Sequence, residues 1–90
     1  MTPEVLLTIW RHGEAAFAAR DADRELTEPG RDEVTVAAAA FTRWLTQSGL
    51  PQVEQLRHSP LTRTSQTAAI LRDVLRPMSC VADQLLAPGA

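Results

Sequence analysis

The 90-residue chain has no lysine, a single cysteine and no long apolar run, and each absence removes a class of function. With Cys80 alone no intrachain disulfide can close and no zinc site can be assembled from thiolates, which suits a reducing compartment. No apolar stretch approaches the roughly 20 residues of a membrane span. The first residues show no positive segment followed by a signal-like apolar one, so the sequence predicts a soluble cytoplasmic protein with no membrane partner. The net charge is −2 and the nine basic residues, all arginine, are spread along the chain, so nucleic acid is not an expected partner. Large apolar residues are also scarce: fourteen residues of the 44% hydrophobic content are alanine, which buries little area. A chain this short buries roughly 60 to 65% of its extended surface on folding, so a single domain over residues 1–90 is expected, with little margin of stability.

What is present is ordered. Val5-Leu6-Leu7-Thr8-Ile9-Trp10 is apolar on both faces and rich in β-formers, which predicts a buried strand of a mainly parallel sheet. Residues 14–26 alternate small and charged residues without a period and predict a loop, with one helical turn over Ala15 to Arg20. From Glu28 to Ser48 the residues Val34, Ala37, Ala38, Phe41, Trp44 and Leu45 recur at helical spacing, behind an N-cap at Thr27 and ahead of Gly49 and Pro51. Val53 to His58 predicts a second strand. Ser59-Pro60 predicts the cap and first position of a second helix, whose apolar stripe is Leu61, Ala68, Leu71, Val74 and Leu75 and whose end is Pro77. Ser79 to Ala82 reads as a third short strand, and Asp83 to Ala90 has no obvious closing element. Alternation of strand and helix implies an α/β fold with parallel pairing.

In open α/β sheets ligands bind beyond the carboxyl ends of the strands. Arg11-His12-Gly13 follows the first expected strand and Ser59-Pro60-Leu61-Thr62-Arg63 follows the second, so two arginines, a histidine and a helix N-terminus are expected to converge on an anion. Histidine can accept a phosphoryl group covalently, and arginine matches the planar geometry of phosphate oxygens. Such a site needs no metal and no cofactor. Gly13 is expected to let the backbone turn away from an incoming group. Glu14, Ser59 and Thr62 are read as structural or capping residues, His58 as a partly buried histidine with a local hydrogen bond, and Trp10 and Trp44 as core.

Three segments, Arg11-His12-Gly13, Leu26-Thr27-x-x-Gly30 and Ser59-Pro60-x-x-Arg63-x-x-Gln66-Thr67-Ala68, occur in this order. Together they resemble the histidine phosphatase, or phosphoglycerate mutase-like, superfamily. The resemblance implies a three-layer α/β/α fold with a mainly parallel sheet, His12 as the phosphoryl acceptor, and Arg11 and Arg63 as phosphate-binding residues. Arg-His-Gly-Glu-Ala followed after a short loop by Asp23-Arg24-Glu25-Leu26-Thr27 is most similar to the SixA-type phosphohistidine phosphatases. Mutase-like members usually carry a polar residue and an asparagine where this chain has Ala15 and Ala18. The implied partner is a protein bearing phosphohistidine, with a small phosphate ester or non-catalytic phosphoprotein binding as the alternatives. Family domains continue past the position of Ala90 to a Gly-His motif that supplies a second catalytic imidazole. Residues 1–90 thus correspond to an amino-terminal part of the domain, and weak activity and a homo-oligomer covering an incomplete sheet are expected of them.

Overall fold

A computed structural model describes residues 6–87, and its longest element, α1 (Glu28–Gln47), begins where the sequence supplies a cap. Thr27 is extended, and its hydroxyl accepts the Gly30 amide at 3.0 Å, satisfying one of the donors that a helix start leaves free. Pro29 sits in the first turn, where its missing N–H costs nothing. At the other end Gly49 takes φ +68°, the left-handed conformation that glycine adopts without a Cβ penalty. Val34, Ala38 and Leu45 are buried along one face and Phe41 is half-buried.

Two strands and a second helix follow: β1 (Gln55–His58), α2 (Thr62–Leu75) and β2 (Ser79–Ala82). The strands pair in parallel, from Gln55 opposite Ser79 to His58 opposite Ala82, with α2 as the crossover. Helix α1 packs on α2, and α2 on both strands. The core is the cluster Val34, Ala38, Leu71 and Leu75, ringed by half-buried Trp10, Phe41, Val53, Leu56, Ile70 and Val74. Each buried leucine there stabilises the fold by about 2 kcal/mol. The α/β class and the parallel pairing expected from the sequence are both seen.

Several local expectations are corrected. Residues 6–10 form no strand, and Leu7 and Ile9 are 83% and 89% exposed. A strand buried on both faces needs sheet neighbours, and among the described residues the only sheet is the β1–β2 pair, which this segment does not join. Val5, Pro88 and Gly89 lie outside the described residues. The turn expected over 15–20 falls instead at Asp21–Asp23. Ala15 is bridged to Leu26, and the Ala16 and Thr27 amides donate to the carbonyls of Glu25 and Glu14, so the chain can reverse only beyond that ladder. Helix α2 starts at Thr62 rather than at Pro60 because the Ser59 hydroxyl is held by Thr64, whose own hydroxyl donates to the Ser59 carbonyl. Trp44 is exposed and stacks on Phe41, while Trp10 meets the same ring edge-on at 5.4 Å. The last residues before Pro88 contain a short 3-10 turn, Gln84–Leu86, capped by Asp83.

Gly30 is required by space. A Cβ there would stand 2.9 Å from the Glu14 amide nitrogen, a backbone atom that cannot yield. Gly30→Ala is expected to destabilise the fold by about 2 kcal/mol. Gly49→Ala, which meets open space and is penalised only by its positive φ, should cost about 1 kcal/mol. Urea denaturation of the two variants checks the order.

Candidate active site

The Arg-His-Gly segment is fastened to α2 through one hydroxyl. The Gly13 amide donates to Thr67 Oγ1 at 3.1 Å, and Thr67 donates in turn to the Arg63 carbonyl at 2.8 Å. Residues 54 apart in sequence are thereby held within one turn of helix. Gly13 is needed for contact rather than for turning, since its φ is not positive and a Cβ would stand 2.8 Å from the Val34 side chain. His12 beside it is half-buried, with Nδ1 2.7 Å from the Gly13 carbonyl oxygen. A carbonyl only accepts, so Nδ1 is the donor in this contact and Nε2 is the nitrogen it leaves unengaged. Arg11 is exposed and has no hydrogen bond or ion pair among the described residues.

Arg63, in the first turn of α2, keeps only 10% of its side chain exposed. Its Nη1 donates to the Asp21 carbonyl at 2.9 Å and its Nη2 to the Asp21 carboxylate at 3.1 Å. Its Nε is buried without a hydrogen-bond partner among the described residues. The other Asp21 carboxylate oxygen faces Arg24 Nη1 at 3.4 Å, and Arg24 also donates to the carbonyls of Ala16 and Ala15. The hydrogen bond from Arg63 holds the Asp21 carboxyl below its ordinary 3.8 against an opposing effect of desolvation, with the charge of Arg63 and the hydrogen bond and charge of Arg24 adding to the lowering.

Of the residues singled out in the sequence, Gly13, next to His12, is tied to the turn of α2 that begins at Arg63, and Arg11 is exposed. Glu14 is structural: its carboxylate accepts from the Thr27 hydroxyl at 2.8 Å. His58 is half-buried, with Nδ1 2.8 Å from the Ser59 carbonyl. Four working residues went unassigned. Thr67 receives Gly13, Gln66 receives the Leu26 amide at 2.7 Å, and Asp21 and Arg24 brace the loop. Gln66 and Thr67 lie inside the third motif, and the four-residue step from Arg63 to Thr67 is the signal that both face one way. Nothing in the composition of the loop singled out Asp21. An open hollow of about 400 Å³, lined by Phe17, Ala18, Ala19, Asp21 and Arg24, lies beside the loop, and only Asp21 joins it to Arg63. Among the described residues no group of three or more His, Cys, Asp or Glu could hold a metal ion, and no helix is long and apolar enough to cross a membrane.

The Asp21 contact has a pH signature. Its lowered pKa means that the contact stabilises the fold at full strength above the ordinary 3.8 and fades as pH falls through the lower folded value. The Asp21 carboxyl resonance should therefore titrate below 3.8, with no change in the contact between about pH 5 and pH 8. Thr67→Val removes the acceptor for the Gly13 amide and should cost about 1 to 2 kcal/mol on thermal unfolding while speeding hydrogen exchange at Gly13.

Residues 7–87 match the histidine phosphatase superfamily (branch 1). Among solved structures the chain is similar to one described as a phosphohistidine phosphatase SixA from Nakamurella multipartitia, at 32% identity and a TM-score of 0.66 over 88% of this chain and 41% of that one. It is similar to the protein histidine phosphatase SixA complexed with tungstate, at 35% identity and a TM-score of 0.64 over 80% and 44%. A structure described as a phosphohistidine phosphatase SixA from Agrobacterium tumefaciens matches at 25% identity and a TM-score of 0.67 over 86% and 49%. The chain thus spans less than half the length of each. No curated protein matches it. With the match extending over both ends of the tied site, the chain belongs to the histidine phosphatase superfamily.

Proposed function

We propose that the chain carries the nucleophile and phosphate-binding part of a phosphohistidine phosphatase-type site, with His12 accepting the phosphoryl group and Arg11 and Arg63 holding it. The observation that supports this reading is the link from the Gly13 amide through the Thr67 hydroxyl to the Arg63 carbonyl, which ties the backbone next to His12 to the helix turn that carries Arg63. The likeness to SixA structures, one of them bound to the oxyanion tungstate, supports phosphohistidine as the substrate class.

In this mechanism Nε2 of His12 attacks phosphorus, forming a new N–P bond as the N–P bond of the substrate phosphohistidine breaks. The departing imidazole nitrogen takes a proton. The equatorial oxygens carry the charge, and a guanidinium stabilises it without a metal. Water then attacks phosphorus, the His12 N–P bond breaks, and phosphate and neutral His12 are released. These ninety residues contain one other histidine, His58, at the end of β1, and no hydrogen bond joins it to His12 among the described residues, so protonation of the leaving group falls to water and turnover by them is slow.

Incubation with a protein labelled on phosphohistidine should transfer label to His12 as an acid-labile, base-stable adduct, with slow release of phosphate. His12→Ala should abolish the adduct, and Arg63→Ala should slow its formation by about 100-fold. Faster turnover of p-nitrophenyl phosphate than of phosphohistidine would favour a small phosphate ester as substrate. Binding of the phosphoprotein with no adduct at all would leave a binding module instead.

A further inference from the structure

A guanidinium offers two bidentate edges: the end-on pair of Nη nitrogens, and the side edge made by Nε–H and the adjacent Nη2–H. In Arg63 the two are treated differently. The end-on edge is fully taken by one residue, Asp21, through its backbone carbonyl at 2.9 Å and its carboxylate at 3.1 Å. The side edge retains a buried Nε–H without an acceptor among the described residues, on a side chain that is nine-tenths buried. Buried donors are rarely left unpaired, and one that is calls for an explanation such as a ligand.

We propose that Asp21 is the positioning residue of this site, gripping Arg63 end-on so that its Nε and Nη2 form the fork that takes a phosphate. The proposal rests on the reading of Arg63 as a phosphate-binding residue. Asp21 is suited to the task. It is exposed, so it has no packing role of its own. Its loop cannot drift, because Arg24 ties the second carboxylate oxygen to the carbonyls of Ala15 and Ala16. Two acceptors from a single residue fix both the place and the plane of the guanidinium, and a bidentate contact depends on that plane.

Two effects of Asp21 oppose one another, and that makes the proposal testable by sign. As a nearby negative charge it repels an anion, so a purely electrostatic role predicts tighter phosphate binding when the charge is removed. As a positioning residue it predicts the reverse for Asp21→Ala, and near-normal binding for Asp21→Asn, which keeps an acceptor oxygen for Nη2. The experiment is titration of the whole chain with inorganic phosphate, followed at the Arg63 Nε–H resonance and by ³¹P line width. Far-UV circular dichroism of each variant reports that the fold is kept. The expected result is a phosphate-induced shift of the Arg63 Nε–H signal, binding weakened about tenfold by Asp21→Ala, and binding largely restored in Asp21→Asn. Binding by Asp21→Ala equal to or tighter than that of the unsubstituted chain would overturn the positioning role alone. Absence of any phosphate effect on the Arg63 signal in the unsubstituted chain would overturn the phosphate-binding reading, and the positioning role with it.

Discussion

The burial of one guanidinium organises this small protein. Taking an arginine out of water costs several kcal/mol unless its charge and its donors are met, and Arg63 is buried at the start of α2, where the helix dipole also opposes a cation. The loop from Ala15 to Leu26 answers that demand. It supplies Asp21 as counter-charge, is closed at its base by the Ala15–Leu26 bridge, and is braced across its width by Arg24. Once Arg63 is held, α2 carries Thr67 and Gln66 on its next turn, and those side chains receive Gly13 from one end of the loop and Leu26 from the other.

Polar ties of this kind do work that a larger domain leaves to its core. The buried cluster holds four residues, one of them alanine, and the apolar residues at 6, 7 and 9 are exposed. The fold therefore relies on hydrogen bonds spanning long sequence separations to keep the Arg-His-Gly segment in place. The three motifs are one junction: Glu14 meets Thr27 and Gly30 at the start of α1, while Gly13 and Leu26 meet Thr67 and Gln66 on α2. Gly13 and Gly30 lack a side chain because neighbouring groups of the junction approach closely there.

Elements whose cause is local were legible. The cap at Thr27, the proline in the first turn and the left-handed Gly49 each depend on neighbours within four residues, and α1 lies where they put it. The second helix was right in its body and wrong in its start, because the Ser59 hydroxyl has a competing partner in Thr64. The expected strand at 5–10 failed among its described residues for a different reason: periodicity records that a segment would gain from burial but not whether a partner is available. Trp44 shows the same limit, being in phase with the buried stripe and yet at the edge of the helix contact.

The sequence by itself determined the helices, the α/β alternation and the candidate residues Arg11, His12 and Arg63, since these follow from residue type and short spacing. Only the tertiary structure decided which nitrogen of His12 is left unengaged, why Gly13 and Gly30 must lack a side chain, and that Arg63 is gripped by Asp21. Those outcomes arise where backbones from distant parts of the chain come within hydrogen-bond reach. No pattern along one segment records what will stand opposite it.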